Sequence, residues 1–213
     1  TPSSSSAASD VYKRQMNVLI EIGSSNPASG IADDSGETPL QTIMQETLAT
    51  AFEDGLVIDA TIAASEAQRN ALWDVRENAP ESHKRSRGVA RSDISLAQSS
   101  LAPFYEDMVA AVKTVDPTIR ICGYGHPGDG NLHFNLVADE RSNSEFDSKK
   151  DKLYELIYEH VAKYNGSISA EHGIGQTKRA QLAKVKAPEV LDVMRAIKAS
   201  IDPKNLMNPG KVI

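Results

Sequence analysis

The stretch from Ile119 to Leu136, IRICGYGHPGDGNLHFNL, constrains the fold most: two alternating apolar and polar runs flank Pro-Gly-Asp-Gly, the pattern of a β-hairpin closed by a tight turn. With Pro127–Gly130 as the turn, His126 faces Asn131 and side-chain alternation sorts the rest into two faces. Ile119, Ile121, Leu132, Phe134 and Leu136 share one face with Gly123 and Gly125. Arg120, Cys122, Tyr124, His126, Asn131, His133 and Asn135 share the other. The first is a core face; the second carries too much chemistry for plain surface.

On that second face His126 and His133 form a diagonal cross-strand pair, at a backbone separation of roughly 7–8 Å that two imidazoles can close onto one ion. A third ligand comes from Ser169-Ala-Glu-His-Gly-Ile-Gly, where Glu171 and His172 end an apparent strand in a glycine-rich turn. Two histidines and a carboxylate suit zinc or another divalent transition metal and leave coordination positions open for substrate. A single histidine is more often a hydrogen-bonded surface or core residue, and His83 and His160 are read that way. Cys122 reads as a small buried residue without a role, and Asp129 as a turn former.

Around the hairpin the elements alternate without a steady βαβ rhythm. Strands are expected near Val18–Ile22, Leu56–Ala63, Val89–Leu96 and Gly166–Ala170, and helices over Pro39–Glu53, Ser65–Glu77, Ala102–Thr114 and Glu145–Tyr164, with two more helical stretches before the C-terminal tail. The expected class is α+β, with an antiparallel sheet covered by helices. Residues 1–15 are Ser- and Ala-rich without apolar periodicity and are set aside as a flexible tail or a cloning or sequencing scar; residues 16–213 form the expected domain. The strand pattern starting at Asn17 reads as a chain entered partway through a larger protein.

A net charge of −6, with no basic run longer than Lys149–Lys150, supplies no footprint for nucleic acid or an anionic membrane. One cysteine excludes an internal disulfide, and no apolar run reaches the roughly 20 residues of a membrane span. A cytoplasmic setting, or a mitochondrial matrix in a eukaryote, fits these features.

GHPGDGNLHFN, SAEHGIG and DPKNLMNPGKVI, in that order, with ALWDVRE (Ala71–Glu77) and RSDISL (Arg91–Leu96) upstream, resemble the C-terminal domain of the FAD-linked oxidase family, which includes D-lactate, D-2-hydroxyglutarate and glycolate dehydrogenases. The resemblance covers essentially everything after residue 15 and implies a ferredoxin-like cap domain over a flavin. It implies that His126, His133 and Glu171 bind a divalent metal, often zinc, and that His172 is the catalytic base, in contact with substrate. Asn135 matches a substrate-contacting asparagine, Arg76 the arginine that grips the substrate carboxylate, and Arg91 a position where many relatives carry lysine. Asn208, in the Asn-Pro-Gly-Lys segment, matches the family's return toward the flavin domain.

The chain departs from the 2-hydroxyglutarate enzymes at Pro80, where they offer a threonine hydroxyl that proline cannot supply, and at Arg91, a planar fork in place of a point charge. The family's FAD-binding domain would precede this region and is expected as a missing partner, alongside a small 2-hydroxy acid substrate, an unidentified electron acceptor and a possible second copy in a homodimer. Two other functions share the residues: a flavin-independent metallohydrolase, since the same ligand set activates water, and a non-catalytic cap subunit of a split flavoenzyme.

Overall fold

A computed structural model describes residues 16–79, 81, 88–138 and 143–213. Pro80 and His83 lie outside the described residues. The chain divides into two compact units, one ending at Asn78 and the other beginning at Ala79.

Among its described residues the first unit holds two α-helices, α1 (Pro39–Glu53) and α2 (Glu66–Glu77). Each begins where a hydroxyl side chain accepts an otherwise unpaired helix N–H. Thr38 accepts from Gln41 N while the Gln41 side chain accepts from Thr38 N, a reciprocal capping box with Pro39 following; Ser65 accepts from Gln68 N. The strands expected at Val18–Ile22 and Leu56–Ala63 do not form. Val18, Ile20, Leu56 and Ile58 stay exposed, and alternation alone cannot make a strand that lacks a neighbouring backbone to satisfy its N–H and C=O groups.

The second unit is the expected antiparallel sheet. Its strands are β1 (Val89–Ala90), β2 (Asp93–Ser95), β3 (Arg120–His126) and β4 (Asn131–Val137). β3 pairs with β4 along its whole length, with His126 opposite Asn131 and Arg120 opposite Val137, the register that the Pro127–Gly130 turn dictates. β1 and β2 lie in one common register along the other edge of β4, pairing Ala90 with Leu136 and Asp93 with His133. Phe134 N donates to Ser92 O across the break at 3.1 Å, so β1 and β2 act as one interrupted strand.

One sheet face is covered by α3 (Gln98–Val115) and α4 (Asn143–Lys163). Phe104, Met108 and Val112 of α3 and Phe146, Leu153, Ile157 and Val161 of α4 are fully buried against Ile94, Phe134 and Leu136. Phe134 meets the edges of Phe104 and Tyr105 at ring-centre distances of 5.6 and 5.8 Å, favourable edge-to-face geometry. Two further helices, α5 (Arg179–Val185) and α6 (Pro188–Ile201), contribute Leu182 and Leu191 to the same core. Burying that face leaves the opposite one, with its histidines, to other business.

The strand expected at Gly166–Ala170 shrinks to one bridge, in which Ser95 and Ser167 exchange both backbone hydrogen bonds. The cause is a competing acceptor. Beyond Ser167 the backbone N–H groups turn to the Asp93 carboxylate instead of continuing the ladder.

Candidate functional site

The sheet face turned away from α3 and α4 is where the candidate residues collect. Register places Asp93, His133 and Tyr124 side by side across β2, β4 and β3, and Ser95, Asn131 and His126 in the next row. Because strand side chains alternate, both rows point to the same face, with His126 and His133 diagonal to one another as the hairpin pattern requires. The Tyr124 and His133 rings lie 5.1 Å apart between centres.

Glu171 and His172 reach this face from the turn after Ser167. The Glu171 carboxylate accepts a short hydrogen bond from Asn131 Nδ2, which brings it to the strand position opposite His126 and two residues from His133. The His172 ring sits 5.9 Å from that of His133, and its side chain is 67% exposed, open to an incoming molecule. Asn131 is almost fully buried, and its Oδ1 has no hydrogen-bond partner among the described residues.

Asp93 was not singled out from the sequence, yet it organises this corner. Its buried carboxylate accepts backbone hydrogen bonds from Ala170, Glu171 and His172, and Oδ2 lies 3.7 Å from His172 Nδ1. Burial pushes the Asp93 carboxyl upward, but the N–H groups of His172 and Glu171 and the charges of His172 and Lys178 outweigh it and hold the pKa below the ordinary aspartate value. Lys178, half-buried, donates to Ile168 O at 2.8 Å; the loss of water around its ammonium lowers its pKa, against the pull of Asp93. The available signal was a charged residue inside a strand pattern, an unfavourable choice unless something pairs with it.

The remaining candidates are scattered. Asn135 is buried on β4, its Oδ1 accepting from Ser92 N at 3.3 Å. Arg91 falls in the break between β1 and β2, level with Asn135 in the common register, with an exposed side chain and its backbone N–H donating to Tyr154. Arg76 ends α2 in the first unit and is half-buried. Asn208 occupies a left-handed turn (φ 47°) after α6 and is exposed. That turn is built by buried Asp202, whose carboxylate accepts from Leu206 N and Met207 N at 2.8 and 2.9 Å.

Among the described residues, no group of three or more His, Cys, Asp or Glu side chains is already drawn together around one point as a metal would hold them. The donor chemistry nonetheless fits a divalent cation: two imidazoles and one carboxylate are brought onto one face, beside a buried oxygen that has no partner among the described residues.

Residues 32–212 match the family described as FAD linked oxidases, C-terminal domain. The chain belongs to this family. The match spans every candidate residue from Arg76 to Asn208. The chain is also 38% identical over 172 residues to a D-2-hydroxyglutarate dehydrogenase of Stutzerimonas stutzeri, covering 79% of this chain and 37% of that one. It is 37% identical over 204 residues to the mitochondrial D-2-hydroxyglutarate dehydrogenase of Bos taurus, covering 95% and 34%. The mitochondrial enzyme of that name from Arabidopsis thaliana is 36% identical over 183 residues, covering 84% and 31%. The chain thus spans about a third of the length of the curated relatives it matches. No described helix is long and apolar enough to cross a membrane.

Proposed function

We propose that this chain is the substrate- and metal-binding part of a flavin-dependent D-2-hydroxyacid dehydrogenase, which converts the hydroxy acid to a 2-oxo acid. The observation that carries the reading is one sheet face, within a member of the FAD-linked oxidase family, that carries two histidines and a glutamate beside an exposed histidine. His126, His133 and Glu171 would hold a divalent metal, zinc by preference, which supplies a Lewis acid for the substrate hydroxyl. FAD, held mainly by a flavin-binding domain, supplies the hydride acceptor.

Within this chain His172 takes the hydroxyl proton at a ring nitrogen; its exposed ring is free to approach substrate, and the nearby Asp93 carboxylate stabilises the imidazolium that results. A well-placed base contributes on the order of a hundred- to ten-thousand-fold. Arg91 grips a carboxylate oxygen, and Asn135 borders the same end of the substrate; the family resemblance gives Arg76 a carboxylate-binding role as well. Asn208 contacts the flavin-binding domain, and the apolar stripe Val190, Val193, Ile197 and Ile201, exposed along α6, supports docking of such a domain on this unit. D-2-Hydroxyglutarate is the first substrate to try because the relatives carry its name; Pro80 and Arg91 make D-lactate and glycolate the next. The mitochondrial names of the eukaryotic relatives support a matrix setting there, with the cytoplasm its bacterial equivalent.

The test is metal content by mass spectrometry on the purified chain, followed by calorimetric titration of the metal-loaded protein with these acids. Near-stoichiometric metal that His126→Ala and Glu171→Ala both remove, with acid binding that depends on it, is the expected result. Flavin-free ester hydrolysis by the loaded chain, with no affinity for 2-hydroxy acids, would replace the dehydrogenase reading with a hydrolase.

A further inference from the structure

The turn that carries Glu171 and His172 is anchored at its two ends by Ile168 and Ile174, which pack on the core, while its tip has little packing of its own. Glu171, His172 and Gly173 are exposed, and Gly173 and Gly175 adopt left-handed conformations, φ 71° and 54°, that give the segment freedom instead of rigidity. What it does have is one buried carboxylate. Three successive backbone N–H groups, of Ala170, Glu171 and His172, converge on Asp93 Oδ2 at 3.2, 3.1 and 2.9 Å, and Ser169 Oγ lies 3.2 Å from the same oxygen.

This is an anion-binding nest filled by the protein's own side chain. Asp93 stands on β2 beside His133, so the carboxylate is fixed by the sheet and fixes the turn in relation to that histidine. Lys178 secures the other side of the backbone, donating to Ile168 O at 2.8 Å and lying 3.4 Å from Asp93 O. Asn131 plays a separate part, holding the Glu171 side chain and none of the turn's N–H groups.

We infer that Asp93 is the positioning residue of the site: through the N–H groups of residues 170–172 it sets where Glu171 and His172 stand over the sheet. The inference deepens the dehydrogenase reading and rests on it for its catalytic meaning, but its structural content can be measured without metal, flavin or turnover.

Hydrogen–deuterium exchange on the intact chain compares the parent with Asp93→Ala, Asp93→Asn and Asn131→Ala. Asp93→Ala should speed exchange at residues 170–172 about tenfold while Phe104–Val112 of α3 keeps its protection; Asp93→Asn, which keeps an acceptor oxygen but loses the charge, should fall between. Asn131→Ala should leave 170–172 at the parent rate. Should Asp93→Ala unfold the whole unit, seen as lost protection in α3, Asp93→Asn decides: local acceleration at 170–172 supports the inference, and a parent-like rate overturns it. Cobalt(II) supplies the second readout. The Asp93 variants should weaken cobalt binding about ten- to a hundredfold and alter the visible spectrum, the size of effect that supporting residues have on metal sites. If the parent binds no cobalt, the metal reading fails while the exchange data still judge Asp93; if the parent binds it and Asp93→Ala matches the parent in both readouts, the positioning role is wrong.

Discussion

The hairpin that supports His126 and His133 depends on Gly130, and replacing that glycine with alanine is a severe test of the register. Gly130 has φ 75°, a left-handed conformation that costs a residue with a Cβ roughly 1–2 kcal/mol. A Cβ there would also stand 1.9 Å from Leu96 O, against an ordinary carbon–oxygen contact of about 3.3 Å, and the neighbour is backbone, which cannot swing aside. The turn must therefore move by more than an ångström, breaking the 3.0 Å bond from Leu96 N to Gly130 O that ties it to the end of β2. A buried backbone pair left unmade costs a further ~1–3 kcal/mol, so Gly130→Ala should destabilise the second unit by about 3 kcal/mol or more. Gly128→Ala is the matched control: it lies in the same turn, at ordinary φ, with nothing within 4 Å of its added methyl, and should cost within about 0.5 kcal/mol. Urea unfolding followed by circular dichroism is the assay, because the single tryptophan, Trp73, sits in the first unit and reports the wrong region. Equal stabilities for the two variants would refute the turn geometry and the histidine register built on it.

Other outcomes follow from the same packing and charge arguments. Phe134→Ala should cost about 3–5 kcal/mol, since the ring is fully buried between Phe104 and Tyr105, and thermal unfolding measures it. Hydrogen bonds from the Thr118 side chain and Lys149, with the Thr118 N–H, hold buried Asp116 at a pKa of about 2 against an ordinary 3.8. Its folded pKa is depressed, so its contribution of about 2 kcal/mol is present above pH 3.8 and fades as pH falls toward 2; Asp116→Asn should match the parent near pH 2 and trail it at pH 7 in parallel urea series. Burial and neighbouring Tyr154 raise Tyr158 to about 12, so ultraviolet titration should show a late phenol and stability should fall between pH 10 and 12, a loss that Tyr158→Phe removes.

The hairpin was legible because its information is local: the turn sets the pairing of its own two strands, and alternation then assigns every side chain to a face. Helices α1 and α2 were legible within a residue at each end for a similar reason, their periodic patterns and stops being written in consecutive residues. Strands at Val18–Ile22 and Leu56–Ala63 share the alternation but find no partner backbone, and a strand is a property of a pair. Asp93 stayed hidden because its meaning depends on the pairing of β2 with β4, nearly forty residues along the chain, and on a turn almost eighty residues away. The histidine pair and Glu171 were proposed from residue type and spacing, while the hydrogen bond between Glu171 and Asn131 needed the fold.

His126, His133 and Glu171 are proposed to close on one metal ion. That closure is tested most directly by crystallising the chain with zinc and collecting diffraction on both sides of the zinc absorption edge. One strong anomalous peak is expected on the sheet face opposite α3 and α4, about 2.0–2.2 Å from a nitrogen of each histidine and a Glu171 carboxylate oxygen. A fully soaked crystal with no peak there, or with zinc bound only elsewhere on the surface, would contradict it.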